Sequence, residues 1–268
     1  MKLSNSEKSR LLHKYGPWAI VTGASSGIGL ELSTLLASSG LNLVLHGRDR
    51  GRLQKISKEF EEVYQIETLV VACDLFEKDG TNQIIKMADG FPIGLLILSA
   101  GFGTSGRFLE SSLSTELNML EVNCRSLLHL THHYSKQFAL QKRGGIILLS
   151  SMVAFQGTPF SAHYAATKAY VQTLAEGLCL EVKGQGVDVL AAAPGPVITR
   201  FGGRADLKMG MAMNVNQVAV PILKALGRKM TVLPGSLTKL LVYSLRLLPR
   251  WGKVVVMKKV MGGMTKHH

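Results

Sequence analysis

Residues 18–29 read Trp-Ala-Ile-Val-Thr-Gly-Ala-Ser-Ser-Gly-Ile-Gly. The first five, Trp18 to Thr22, form an apolar run suited to a strand buried on both faces. Glycines follow at 23, 27 and 29, and a helical pattern runs on through Leu36. Glycine permits a tight turn and lets a ligand approach the backbone closely. The helix then points its unbonded N–H groups and a partial positive charge at whatever lies above the loop. Between a buried strand and an amphipathic helix, such a loop suits the pyrophosphate of a dinucleotide. Gly23, Ser25, Ser26, Gly27, Ile28 and Gly29 are therefore candidate cofactor contacts. The plainer reading is a tight strand–helix turn that binds nothing.

The same alternation continues outward. Strand-like runs recur at Asn42–His46, in ETLVVAC (67–73), at Leu95–Ser99, Gly145–Ser150 and Val187–Ala193, and in MTVL (230–233). Between them lie helical patterns near 49–62, 81–88, 113–140, 164–183 and 215–226. Near-continuous apolar strands alternating with helices give an α/β fold: a parallel sheet covered on both faces. No repeat or linker interrupts the pattern. We expect one domain, 1–268, with a nucleotide-binding and catalytic core at 18–233 and a basic C-terminal extension at 234–268.

The end of the second strand selects the cofactor. A carboxylate there binds the ribose 2′-hydroxyl of NAD, whereas Arg accommodates the 2′-phosphate of NADP. Here the strand ends Leu-His-Gly-Arg-Asp-Arg (45–50), with Gly47 in the acid's usual place and Arg48 next. A planar, permanently charged guanidinium suits phosphate, so NADP(H) is expected over NAD(H). Asp49 is better placed to cap the next helix.

Further along, Tyr164 and Lys168 stand in Tyr-Ala-Ala-Thr-Lys, thirteen residues after Ser151. On a helix the phenol and ammonium share one face, one turn apart. A neighbouring cation favours the phenolate and lowers its pKa, which would make Tyr164 an acid/base group. Alone, the pair also fits an ordinary helix with an exposed Lys.

Together these residues resemble the short-chain dehydrogenase/reductase family. The likeness spans about Trp18 to Leu233 and includes TGASSGIG (22–29), Asp74, SAG (99–101), Asn123, Ser151, YAATK (164–168) and PGPVIT (194–199). It implies a Rossmann-like, doubly wound sheet of about seven parallel strands and hydride transfer between nicotinamide and a carbonyl or alcohol. By resemblance, Asn123, Ser151, Tyr164 and Lys168 are the catalytic set. Tyr164 acts as general acid/base, Ser151 holds the substrate oxygen, Lys168 tunes Tyr164 and binds the nicotinamide ribose, and Asn123 holds a water beside Lys168. The plainer reading of Asn123 is a polar residue satisfying a kink in a long helix. Asp74 with Leu75 lies toward adenine. Ser99, Ala100 and Gly101 line the cofactor, with Ser99 replacing the family's Asn. Pro194, Gly195, Val197, Ile198 and Thr199 shape the carboxamide end. The ending resembles a subgroup of NADP-dependent reductases of hydrophobic ketones and 3-oxoacyl chains, and family members form homodimers or homotetramers.

Substrate selection is expected from Phe102, Val153, Phe155, Gln156, Phe160, His163, Phe201 and a Met-rich lid at Lys208–Met213. His163 neighbours Tyr164 but points elsewhere on a helix. The expected substrate is a hydrophobic ketone or alcohol, or an acyl thioester. A catalytically silent nicotinamide-binding scaffold or redox sensor is the alternative.

The 268 residues carry a formal charge of +13, and thirteen Lys/Arg against the single acid Asp206 fall within 200–268. The tail at 236–261 mixes Lys, Arg and Trp251 with Leu and Val, a pattern for an anionic membrane surface, a second subunit, or a phosphorylated or carrier-bound substrate. No nucleic-acid module is present. Cys73, Cys124 and Cys179 lack metal-ligand spacing, so no metal is expected; they fit a reducing compartment. With no spanning run or signal peptide, the expected place is the cytoplasm, including the inner face of a membrane.

Overall fold

The computed structural model describes residues 2–199 and 212–265, apart from the side chain of Met264. Seven strands form one sheet: β1 (Trp18–Thr22), β2 (Asn42–Gly47), β3 (Thr68–Ala72), β4 (Ile93–Leu98), β5 (Gly144–Leu149), β6 (Val187–Ala192) and β7 (Thr231–Val232). Their order is β3-β2-β1-β4-β5-β6-β7, and every neighbouring pair is parallel.

Strand side chains alternate between two layers. Ala19 and Val21 of β1, with Leu95 and Ile97 of β4, enter one core. There they meet Leu32 and Leu36 of α2 (Gly27–Ala37), Phe60 of α3 (Arg50–Tyr64) and Leu223 of a later helix (Val215–Ala225). Ile20, Leu96 and Leu98 point the other way. Their partners include Ile84 of α4 (Gly80–Ala88), Phe138 of α6 (Ser126–Gln141) and Val171 of α7 (Ala162–Glu181). Each fully buried aliphatic or Phe side chain contributes about 1.5–3 kcal/mol. Both faces of the sheet are thereby held.

The sheet order reverses beside β1, since β2 pairs on one side and β4 on the other. Loops leaving these two strands part in opposite directions and open a crevice at their C-terminal ends. The Gly23–Gly29 loop lies there.

Three features depart from the sequence expectation. An N-terminal helix, α1 (Asn5–Tyr15), is present; its polar sequence hides two anchors, Leu11 and Tyr15, both fully buried. Ser4 caps it by accepting from the Glu7 N–H. Arg10 donates to the carbonyls of Leu223 (2.8 Å) and Leu226 (3.0 Å), and the Tyr15 hydroxyl donates to Asp188 (2.7 Å). Second, the long helix expected at 113–140 is broken into α5 (Leu113–Leu120), a π-helical turn (Glu121–Arg125) and α6. Third, the tail forms two helices. After α8 (Val215–Ala225) and β7 come α9 (Ser236–Arg246) and α10 (Arg250–Met264), separated around Pro249. Among the described residues no helix is long and apolar enough to cross a membrane.

Candidate active site

A cavity of about 980 Å³ runs along the crevice from the glycine loop to Tyr164 and Lys168. Gly23 (φ +69°) and Gly27 (φ +58°) occupy left-handed backbone, which only glycine adopts without strain. A Cβ on Gly29 would lie 2.3 Å from the Gly23 carbonyl oxygen. Gly29 therefore closes the loop from below rather than facing the cavity. Ser26, the N-cap of α2, makes no side-chain cap, so the helix presents its first N–H groups uncapped. Ser25, Ser26, Gly27 and Ile28 line the cavity beside them. This cradle fits a dinucleotide pyrophosphate.

At the adenine end Arg48, Asp74 and Leu75 line the cavity. Arg48 Nη1 lies 3.6 Å from Asp74 Oδ2, with both side chains partly solvent-exposed. Asp49 caps α3 as expected, accepting from the Arg52 N–H at 3.0 Å. Arg52, which the sequence reading passed over, also lines the cavity; its place on the first turn of α3 after Arg48 was the available signal. Gly47 is buried, and a Cβ there would meet Ser25 Oγ at 3.3 Å. His46 is buried nearby with its Nδ1 unpartnered, and burial lowers its pKa to about 4.

Between these ends, Ser99, Ala100 and Gly101 form the floor. The Thr22 hydroxyl accepts from the N–H groups of both Ser99 and Ala100, each at 3.1 Å. Ser99 is thus fixed through its backbone, although the usual amide side chain is missing. Pro194, Gly195, Val197 and Thr199 border the same cavity. Ile198 does not: its side chain is exposed, and its N–H donates to the Met213 carbonyl at 2.9 Å. The isolated bridge between Val197 and Met213 turns Ile198 outward.

Ser151, Tyr164 and Lys168 converge at the far end. Ser151 leaves β5 as the cap of a short 3₁₀ turn (Met152–Phe155), and its side chain lines the same end of the cavity as Tyr164. Lys168 Nζ donates to the Leu149 carbonyl at 2.7 Å and lies 5.8 Å from the Tyr164 ring centroid. Burial pushes the Tyr164 phenol up to about 12, opposed by the nearby Ser151 hydroxyl. Burial also lowers Lys168 to about 8, opposed by Cys124. In the ligand-free pocket loss of solvation sets the direction of the Tyr164 shift.

Asn123 sits in the π-helical turn, buried and outside the cavity lining. Its Oδ1 accepts from the Phe102 N–H (3.1 Å), while Nδ2 donates to the Phe102 carbonyl (2.8 Å) and Thr167 Oγ1 (3.1 Å). It clamps the loop after β4 to α7. A Cβ on Gly101 would stand 2.9 Å from Asn123 Oδ1 and 3.6 Å from Lys168 Nζ.

The apolar side of the cavity differs from expectation. Phe102 and Val153 line it. Phe155 packs instead with Ala193, Leu233 and Val242, and Gln156 is buried, its Nε2 donating to the Met152 carbonyl. Phe160 and His163 border a separate cavity of about 190 Å³, and His163 Nε2 donates to the Glu116 carbonyl at 3.0 Å. Phe201 and Lys208–Met211 lie outside the described residues. The apolar wall comes from the tail. Leu237, Leu241 and Leu245 of α9 meet Val256, Met257, Val260 and Met261 of α10 there. Spacings of three and four place each set on one helix face, a pattern the basic residues between them obscured.

Similarity to known proteins follows the same geometry. Residues 17–209 match the family model described as short chain dehydrogenase. A 7beta-hydroxysteroid dehydrogenase of Collinsella aerofaciens is 28% identical over 236 residues, covering 85% of this chain and 90% of its own. A very-long-chain 3-oxoacyl-CoA reductase of Pyricularia oryzae is 34% identical over 182 residues, 66% of this chain and 55% of that one. A short-chain dehydrogenase from Sphingobium yanoikuyae, solved with NADPH, superposes with a TM-score of 0.79 at 28% identity, covering 82% of this chain and 89% of that chain. The glycine cradle at the sheet's switch point and the Ser151–Tyr164–Lys168 cluster at its far end stand within that matched stretch, and the chain belongs to the short-chain dehydrogenase family.

Proposed function

We propose that the protein is an NADP(H)-dependent oxidoreductase that interconverts an apolar ketone and its alcohol. The observation that carries this reading is the convergence of Ser151, Tyr164 and Lys168 at the meeting of the glycine-lined and apolar ends of one cavity. The bound nicotinamide supplies or accepts the hydride. Every other task falls to the chain. Ser151 orients the substrate oxygen, and Tyr164 gives its proton to that oxygen as negative charge develops. Lys168, anchored on the Leu149 carbonyl, holds positive charge or a transferable proton beside the phenol. Asn123 positions the Phe102 loop that borders the substrate.

For the cofactor, Arg48 and Arg52 supply guanidinium groups where the 2′-phosphate of NADP would lie, and Gly47 leaves Ser25 uncovered between them. The NADPH-bound relative supports the same preference. For the substrate, the wall of Leu, Val and Met favours a rigid polycycle or an acyl chain, the classes named for the hydroxysteroid and 3-oxoacyl-CoA relatives. In this reading core 18–233 performs the chemistry and extension 234–268 selects the substrate. Exposed Leu113, Leu117 and Leu120 on α5 are the surface we assign to a homodimer or homotetramer. The silent-scaffold alternative would be favoured by degraded catalytic residues, and Ser151, Tyr164 and Lys168 are intact.

The test is NADPH oxidation against ketones and 3-oxoacyl thioesters of graded size, run beside Tyr164→Phe. Turnover in the wild type with a loss of about a thousandfold in the variant, and retained NADPH binding, supports the reading. Equal turnover in the variant rejects it.

A further inference from the structure

Helices α9 and α10 have two unlike faces. One lines the cavity, as described. On the other, Leu240, Tyr243 and Leu247 recur at three- and four-residue steps along α9 and just beyond it, and Trp251 and Val255 do so on α10. All five are exposed, Leu247 to 89% and Trp251 to 73%. Large apolar side chains so fully in solvent, within one pair of helices, mark a contact surface. Around them stand Lys239, Arg246, Arg250, Lys253, Lys258 and Lys259, with no Asp or Glu anywhere after Asp206. Among the described residues none of these six pairs with a carboxylate.

The cavity also reaches this surface. Leu241, Val256 and Val260 line it, yet each remains more than a third exposed. They form an apolar seam between the two helices, leading from the exposed face to the Tyr164 chamber.

We propose that the exposed face of α9 and α10 seats on an anionic lipid surface, and that the apolar substrate passes from the bilayer through the Leu241–Val256–Val260 seam. Charge decides the occupant. A second copy joined through the same face would set basic residues against basic residues, which costs affinity. Anionic lipid neutralises the Lys and Arg while its acyl region takes Leu247 and Trp251. The substrate route rests on the reductase reading; the docking surface does not.

Flotation of the full chain with vesicles tests this. Phosphatidylcholine vesicles holding about 30% phosphatidylglycerol, at about 0.1 M salt, should carry the protein upward, and pure phosphatidylcholine should not. The Leu247→Ser/Trp251→Ser variant, altered only at exposed positions, should bind at least about tenfold less. Arg250→Glu with Lys253→Glu should do likewise. With a long-chain ketone dissolved in the vesicles, Leu247→Ser/Trp251→Ser should slow NADPH oxidation several-fold while leaving a water-soluble ketone's turnover unchanged. Three results overturn docking: no flotation, equal recovery with neutral vesicles, or a dimer or acidic-protein complex that the same substitutions disperse. Flotation with no turnover of any ketone upholds the docking surface and overturns the route together with the reductase reading.

Discussion

Lys168 Nζ is bonded to the Leu149 carbonyl, 2.7 Å away, and not to the phenol oxygen of Tyr164, the residue one helical turn earlier. The ammonium is tethered to the end of β5, beneath the ring it faces. Tyr164 and Ser151 border the cavity above this tether.

That burial gives ligand-free stability a defined pH dependence. Lys168 titrates near 8 in the fold against 10.5 for an ordinary Lys. Between those values the unfolded chain holds a proton that the folded chain lacks, so stability rises with pH. Tyr164, raised from 10.0 to about 12, acts oppositely. There the unfolded chain loses its proton first, and stability falls above pH 10. The difference in unfolding free energy between wild type and Lys168→Met should show the rise across pH 8 to 10.5, on the order of a few kcal/mol. Parallel curves in denaturant titrations would contradict it.

Arg48 should govern cofactor choice. In the proposed NADP reading, Arg48→Ala would remove a charge-assisted bond to the 2′-phosphate, about 1.5–3 kcal/mol. The KM for NADPH should rise roughly 10- to 100-fold, with kcat/KM for NADH little changed. Steady-state kinetics with both cofactors decide this, and equal effects on the two would place Arg48 outside the phosphate site.

Met257 and Met261 reach the cavity from α10 and also pack with Leu245 near Val153 and Phe160. Met257→Ala should raise the KM for a bulky ketone about tenfold through lost apolar contact. The kcat for a small ketone should stay near wild type. An unchanged KM across the size series would move the substrate away from α10.

Asn123→Ala leaves the Phe102 N–H and carbonyl without their partner in a buried place. The expected loss is about 2–4 kcal/mol of stability. Cofactor binding should weaken as well, since Gly101 and Phe102 lose their clamp. Thermal unfolding and NADPH fluorescence titration measure the two effects. Asn123→Asp retains the acceptor and should recover part of the Phe102 contact.

The nucleotide half of the site was legible because its chemistry is local. Gly23, Ser25 and Gly27 act within one loop, and strand–loop–helix order follows from apolar runs. Arg48 and Asp49 could be assigned from their places after β2. The substrate half was not legible in the same way. Phe160, just before α7, and His163, on its first turn, stand close to Tyr164 in sequence yet border the smaller cavity. Leu241, Met257 and Met261 lie some 80 to 100 positions from Tyr164 and meet it only through the return of α9 and α10. Ile198 lies outside the lining for a related reason: its neighbour Val197 pairs with Met213, a long-range contact that local spacing does not encode. α1 escaped notice because two anchors, Leu11 and Tyr15, carry too weak a periodicity among charged residues.

The anchoring of α1 also sets an order of assembly. Its seat is made by the Leu223 and Leu226 carbonyls, by Arg228, which bonds Glu7, and by Asp188 on β6. During synthesis α1 leaves the ribosome before any strand; its contacts on β4 and Arg143 follow first, and the partners named above emerge last. The bonds of Arg10, Tyr15 and Glu7 to β6 and the end of α8 cannot form until those residues are made. Closing so long a loop is slow relative to local helix formation, so these far bonds are expected to close late, fastening α1 across the finished sheet like a latch.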